Sequence, residues 1–295
     1  MISRNERFTI LGHDNIDVDS VISGILLERM FKHLNYDVKF KILESNISKD
    51  TINICKKVNI NPMEYISDGI DINEPVFLVD HHVTKHSNNV LGCIDHHPTK
   101  ETIPFEFVVN ENESATAKLI YKFMKIYKME ITKEIIELVL ISIFVDTCSL
   151  KSSKTNPIDI KWTKDMCEKY NLDYDFFYNE GLCLNDLSDD ISTLATNGCK
   201  EYLYYGHKVK SSYIQVKSNN DLNLINNITN YLKDIVVEEG LSMWVFLVTS
   251  FEEDKTYEYR ITTNNVDLIV HNKITSRGTT IMPKIEDYFR CKGDN

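Results

Sequence analysis

Four short segments of this chain gather carboxylate and imidazole side chains: Gly12-His13-Asp14-Asn15-Ile16-Asp17-Val18-Asp19-Ser20, Leu78-Val79-Asp80-His81-His82, Cys93-Ile94-Asp95-His96-His97 and Val145-Asp146-Thr147. Each follows directly on an apolar stretch. Carboxylate oxygens suit hard divalent cations, and imidazole shifts the preference toward Mn, Co, Fe or Zn. Several carboxylates combined with at least two histidines read as a pair of metal ions sharing bridging ligands. Such a pair suits attack by a metal-held hydroxide on a phosphorus centre.

Each feature has a plainer reading. A lone Asp-His-His can be a helix cap or a polar turn, and two copies can arise by chance. The ordered set His13, Asp17, Asp19, Asp80, His96 and Asp146 makes chance a poor account. His81, His82 and His86 read singly as solvent-exposed, or as hydrogen-bond partners behind the ligands. Lysines in strands are mostly solvated, so Lys200 by itself says nothing. The 15 tyrosines read as core and rim packing rather than base stacking.

The elements that must carry these groups alternate. Phe8-Thr9-Ile10-Leu11 is a buried-strand run ending at Gly12, and Val21, Ile22, Ile25, Leu26 and Met30 follow at helical spacing. Val38–Leu43, Val76–Val79 and Phe105–Val109 read as further strands. Ser114 is placed to cap a helix from Ala115 to Tyr127, and Thr132 to cap the apolar helix running toward Asp146. Asn156-Pro157 is a cap followed by proline at the first helical position. Alternating strands and helices predict an α/β fold with a mostly parallel sheet, and ligands just past strand ends match binding at the carboxyl edge of such a sheet.

The pattern changes near residue 185, with a linker between Leu184 and Asp190, so that residues 1–185 form a first domain and 190–295 a second. In the second, Glu201–Tyr205 and Lys208–Val216 read as strands around Gly206-His207, and Leu222–Val237 as a helix. Leu241–Phe251 and Tyr257–Thr263 read as an antiparallel pair around an acidic turn. An amphipathic helix near Pro283 ends the chain. No internal repeat stands out, and the Asn-rich stretch 219–230 reads as composition bias.

A net charge of −11 provides no basic footprint for coating nucleic acid. A small anion can still bind where metals and a few Lys or Arg reverse the local field. Seven scattered cysteines without a Cys-x-x-Cys pair exclude a zinc knuckle and a thioredoxin-type redox pair, and fit a reducing compartment. The N-terminus, Ser3-Arg4-Asn5-Glu6-Arg7, is polar and enters the first strand directly. No signal peptide or membrane-length apolar stretch is read, so a cytoplasmic protein without membrane contact is expected.

Taken together, the motifs resemble those of the DHH phosphoesterases, in the branch with the second type of DHH-associated C-terminal domain. Within it they are similar to the family II, manganese-dependent inorganic pyrophosphatases. His13 to Ser20 follows that group's His-x-Asn-Pro-Asp-x-Asp-Ser motif, with Ile16 in place of Pro. Asp80 corresponds to the second motif, Asp95-His96-His97 to the eponymous triplet and Asp146-Thr147 to the fourth. Ser276-Arg277-Gly278-Thr279-Thr280 aligns with a Ser-Arg-Lys-Lys-Gln segment, and Lys200 with a single lysine after the linker.

The resemblance implies an N-terminal mostly parallel sheet flanked by helices, a smaller α/β C-terminal domain and an active site in the cleft between them. It implies that His13, Asp17, Asp80 and Asp146 hold one metal, and Asp19, Asp80, His96 and Asp146 the other. Asp80 and Asp146 would then bridge ions about 3.5–4 Å apart. Asp95 would orient a histidine ligand, and His97 would contact phosphate or donate a proton to the leaving group. Lys200 and Arg277 would clamp the phosphates as the domains close. Two Mn2+ per site, with Co2+ or Mg2+ as alternatives, and a homodimer through the N-terminal sheet complete the expectation.

Three departures bear on the substrate. Gly278 replaces a lysine of the clamp, Gly198 an acidic residue two positions before Lys200, and His82 the usual Asn of the second motif. Losing one charged contact costs about 1.5–3 kcal/mol. The expected reaction is hydrolysis of pyrophosphate to two phosphates by a hydroxide bridging the two metals. The alternative is an exopolyphosphatase-like enzyme of the same superfamily, which His13 argues against and Gly278 mildly favours. A binding protein whose catalysis has lapsed ranks lower, because every alignable metal ligand is intact. Oligonucleotides also rank low, since the chain has no adjacent glycines.

Overall fold

The computed structural model describes residues 7–43, 47–99, 102–152, 155–219 and 222–293. The polar residues Ser3 to Glu6 and part of the Asn-rich stretch lie outside the described residues. The chain divides into two compact units, Met1–Leu150 with Lys154–Gly181, and Lys151–Ser153 with Leu182–Asn295.

The first unit is built on β1 (Phe8–Leu11), β2 (Val38–Lys41), β3 (Val76–Val79), β4 (Val90–Asp95) and β5 (Phe107–Asn110). They form one sheet in the order β2-β1-β3-β4-β5, with every pair parallel. All four residues of β1 and all four of β3 are buried, as strands covered on both faces must be. The chain steps from β1 to β2 on one side and then to β3 on the other. The strand order therefore reverses between β1 and β3, the place where open α/β sheets bind ligands.

Six helices accompany this sheet: α1 (Val18–His33), α2 (Lys49–Lys57), α3 (Thr116–Ile126), α4 (Lys133–Asp146), α5 (Pro157–Tyr170) and α6 (Tyr174–Gly181). Helices α1, α3 and α4 pack on one another. α4 is capped by Thr132, which accepts from the Ile135 amide, and α5 by an Asn156–Asp159 capping box with Pro157 in its first turn. Both caps follow the sequence expectation. Two local expectations do not hold. β5 begins two residues later than expected, and Ser114 does not cap α3. Ala115 occupies that cap without a side-chain bond, and the first amides of the helix, which are buried, are taken by a carboxylate from α1.

The second unit comprises α7 (Ile191–Thr196), β6 (Lys200–Tyr204), β7 (His207–Val216), α8 (Leu222–Glu238), β8 (Met243–Ser250), β9 (Lys255–Ile261), β10 (Val266–His271) and α9 (Met282–Gly293). Its sheet runs β10-β9-β8-β7-β6. β7 and β8 are parallel, with α8 as the crossover, and the other pairs are antiparallel. β8 is buried along its whole length. Its residues alternate: Trp244, Phe246 and Val248 pack with Leu194, Ile228 and Leu232, while Met243, Val245 and Leu247 pack with Ile285 and Phe289. A two-residue period thus builds two cores on opposite faces of one strand. β10 escapes a sequence reading because it is an edge strand whose side chains are mostly exposed. No helix among the described residues is long and apolar enough to cross a membrane.

Trp244 is 1% exposed, and its indole N–H donates to Ser212 Oγ at 2.8 Å. Ser212→Ala leaves that N–H buried and unpaired, a loss of about 1–3 kcal/mol. Urea unfolding followed by intrinsic fluorescence should show a lower midpoint, and an unchanged midpoint would rule out this account of the core.

Candidate metal centre

The first unit gathers His13, Asp17, Asp19, Asp80, His96, His97 and Asp146 at the strand-order reversal. Their ligand atoms form three overlapping groups, each with members within 4.8 Å of one another: His13–Asp17–Asp80, Asp80–His96–His97 and Asp19–His96–Asp146. His13 and Asp17 lie in the loop after β1, Asp80 follows β3, His96 and His97 follow β4, and Asp146 ends α4. Gly12 allows the tight entry: a Cβ there would lie 2.4 Å from Ser20 Oγ and 2.9 Å from Ile16 Cδ1.

The carboxylates divide their oxygens between structure and site. Asp17 caps α1, accepting the Ser20 amide on Oδ1 at 3.1 Å, while its Oδ2 lies 3.3 Å from His13 Nε2. Asp19 is buried and caps a different helix, α3: the Thr116 amide donates to Oδ2 at 2.7 Å and the Ala117 amide to Oδ1 at 3.1 Å. Ser23 and Ser142 also donate to Oδ1. That leaves Oδ2 with one donor and a remaining lone pair. Asp80 takes a left-handed backbone, φ +65°, uncommon for a residue with a Cβ and a form of strain that collects at functional sites. Its Oδ1 accepts Thr116 Oγ1 at 2.8 Å, while the buried Oδ2 accepts no hydrogen bond among the described residues.

The histidines are oriented from behind. His13 Nδ1 lies 2.8 Å from the Asp14 carbonyl, and His96 Nδ1 lies 2.9 Å from the Glu113 carbonyl. A carbonyl only accepts, so each Nδ1 carries the proton and a neutral ring presents a lone pair on Nε2. These lone pairs face other acceptors. His13 Nε2 is 3.5 Å from Asp80 Oδ2, and His96 Nε2 is 3.6 Å from Asp80 Oδ1 and 3.4 Å from Asp146 Oδ2. Imidazole nitrogens and carboxylate oxygens facing one another at this range suit a cation between them, and this set of N and O ligand atoms fits a divalent ion such as manganese. The two Asp80 oxygens each face a different histidine, which is the disposition of a bridging carboxylate. Asp146, expected to bridge as well, joins only the Asp19–His96 group among the described residues.

Asp95 lies outside the three groups and is fully buried. Its Oδ2 accepts His82 Nδ1 at 2.6 Å and its Oδ1 accepts His97 Nδ1 at 2.8 Å. Burial alone would raise its pKa, but the bonds from His82 and His97 outweigh it and hold the carboxyl far below the usual range. Burial pushes His81 down to about 4, and its Nδ1 sits on the Val79 carbonyl at 2.9 Å. His86 is held by Asp14 at 2.7 Å. None of His81, His82 and His86 is in a metal group among the described residues.

Several supporting residues were missed in the sequence. Ser142 had a visible signal, a lone hydroxyl in the run from Leu138 to Phe144. The network behind His96 had none. Glu113, whose carbonyl orients that ring, binds Lys118 and Lys122 through its carboxylate, and buried Lys118 also binds Asp159 of the α5 capping box. Lys200 and Arg277 belong to the second unit, where they flank Ser211. Lys200 pairs with it across the β6–β7 ladder, and Arg277 donates to its carbonyl.

Burial and the negative charge of Asp80 push the Asp19 carboxyl up to about 8. A carboxyl raised on folding stabilises the fold below its unfolded pKa of about 4, and that stability is lost as pH rises through the folded value. The chelated protein should therefore lose stability between about pH 4 and pH 8. Protons also compete with metal for the same oxygen. Mn2+ should raise the melting temperature more at pH 8.5 than at pH 6, and equal shifts would refute the argument. Lys118→Met removes the cation from buried Asp159, while Glu113 keeps Lys122, and should cost about 3–5 kcal/mol, visible as a lower urea midpoint.

The DHH family N-terminal domain matches residues 7–143. A Bacillus licheniformis protein assigned as a manganese-dependent inorganic pyrophosphatase is 28% identical over 254 residues, spanning 81% of each chain. A Bacillus mycoides protein with the same assignment is 24% identical, over 97% of this chain and 100% of its own. The crystal structure of a Methanococcus jannaschii protein assigned to the family II inorganic pyrophosphatases superposes with a TM-score of 0.78 at 20% identity, over 96% of this chain and 99% of that one. The fold is therefore shared along nearly the whole chain. Residues 7–143 are thus similar to the DHH family N-terminal domain, and the chain as a whole resembles proteins assigned as family II, manganese-dependent inorganic pyrophosphatases.

Proposed function

We propose that this protein is a manganese-dependent hydrolase that cleaves inorganic pyrophosphate to two phosphates. The observation that carries the reading is Asp80, whose two oxygens face His13 on one side and His96 on the other. It is supported by Bacillus relatives assigned as manganese-dependent inorganic pyrophosphatases. His13, Asp17 and Asp80 would hold one ion, and Asp19, Asp80, His96 and Asp146 the other. When bound, the metal pair supplies Lewis acidity that activates water and offsets phosphate charge.

The chain's own residues do the rest. The carbonyls of Asp14 and Glu113 hold the Nδ1 proton of His13 and His96, so that in the neutral ring Nε2 is the nitrogen offered to the ions. His97, about one-third exposed, is fixed at Nδ1 by Asp95, so Nε2 is the atom that meets a phosphate oxygen or passes it a proton. Lys200 and Arg277 supply positive charge for the phosphoryl groups. The reading includes a cytoplasmic homodimer that does not bind nucleic acid.

A second substrate is favoured by one observation. A Cβ at Gly278 would meet nothing within 4 Å, so the place of the missing lysine is open and could admit a longer polyphosphate. Phosphate release with Mn2+ from pyrophosphate and tripolyphosphate, run side by side, decides between them. Faster turnover of pyrophosphate is expected, faster turnover of tripolyphosphate would favour the alternative, and no turnover of either defeats both. Asp80→Asn should abolish release and reduce bound Mn2+ per chain; full activity with normal metal content would remove Asp80 from the bridge.

A further inference from the structure

Arg277 is held in a way that leaves its charge unspent. Among the described residues it has no carboxylate partner, in a chain of net charge −11. Its Nη1 donates to the Gly198 carbonyl at 2.5 Å and to the Ser211 carbonyl at 3.4 Å, and its guanidinium carbon lies 5.0 Å from the centre of the Tyr213 ring. Carbonyls and a ring face orient a guanidinium without neutralising it. The Nε–Nη2 edge, the one that pairs bidentately with phosphate oxygens, has no partner among the described residues.

The cradle is fixed from below. Gly198 is left-handed, φ +57°, and a Cβ there would lie 2.4 Å from Tyr213 Cε1. The Tyr213 amide donates to the Asn197 carbonyl at 3.1 Å, and Asn197 Nδ2 donates to the Tyr213 carbonyl at 3.0 Å. The backbone carrying the ring is thus tied to the turn that carries the Gly198 carbonyl. Ser276 accepts the Thr279 amide at 3.3 Å, which fixes the chain just before Arg277. Lys200 stands directly across the ladder from Ser211, so a second cation shares the same stretch of β7.

We propose that Tyr213 is the positioning residue of Arg277, its ring holding the guanidinium so that the free edge is presented to one phosphoryl group of the substrate. The inference rests on the reading of that substrate as a phosphoanhydride. A guanidinium already oriented loses less freedom on binding, so the ring should act on affinity and leave the metal centre alone. Gly198 matters for the same reason: any side chain there would displace the ring.

The test uses the full chain with Mn2+. Calorimetry measures binding of imidodiphosphate, a pyrophosphate with a non-hydrolysable bridge, beside KM, kcat and Mn2+ affinity. Tyr213→Leu should weaken imidodiphosphate and raise KM by roughly tenfold, in the range of a desolvated cation–π contact, with kcat and Mn2+ affinity unchanged. Tyr213→Phe, which keeps the ring, should restore wild-type values. Gly198→Ala, which leaves the tyrosine in the chain, should reproduce the Leu variant. In an Arg277→Met background, Tyr213→Leu should add nothing.

Wild-type imidodiphosphate affinity in Tyr213→Leu overturns the proposal. So does a loss that persists in the Arg277→Met background, or one that comes with weakened Mn2+. A wild-type protein that binds imidodiphosphate without cleaving pyrophosphate defeats the hydrolytic reading alone, and the Tyr213 arms still decide the positioning role. A wild-type protein that does not bind it defeats both.

Discussion

A buried carboxylate needs compensation from its surroundings, and the way Asp19 obtains it organises the first unit. Its oxygens accept two amides at the start of α3, a hydroxyl from α1 and a hydroxyl from α4. Three helices are thereby tied at one point, at the amide end of α3. The same atoms stand beside Asp80, His96 and Asp146. Removing the Asp19 carboxyl would undo a helix cap and a candidate metal ligand together, so the packing of α1, α3 and α4 and the geometry of the centre are one constraint.

That economy recurs around the site. Asp17 starts α1 with one oxygen and faces His13 with the other. Asp80 accepts from Thr116 on one oxygen and leaves the other without a donor. Asp95 serves two imidazoles while staying ionised. Each ligand is held by the fold through one atom and offered to the centre through another. Such preorganisation lowers the cost of assembling like charges. The groups behind the histidines, backbone carbonyls and Asp95, settle which nitrogen carries the proton, and with it which nitrogen can bind metal.

The second unit applies the opposite electrostatic logic. Several of its carboxylates are paired: Glu258 with Arg260 and His271, and Glu201 and Glu239 with Lys210. Arg277 is oriented by carbonyls and a ring instead, so its charge stays available. In an acidic chain, such a cation is a rare resource for attracting an anion.

The candidate metal ligands that the fold brings together were nameable from the sequence because their chemistry is local: each follows an apolar run, and order and residue type survive without coordinates. Most of the strands and the caps at Thr132 and Asn156 were legible for the same reason, since propensity and periodicity act over a few residues. What surrounds the ligands was not. That Asp19 caps α3, that Asp159 reaches the carbonyl behind His96 through Lys118 and Glu113, and that Tyr213 carries Arg277 are contacts between residues tens of positions apart. Even β10 passed unread, because an edge strand gains its identity from the partner it pairs with. Residue types alone determined which chemistry was possible; the packing of distant segments decided which oxygen, which tautomer and which cation would be free to perform it.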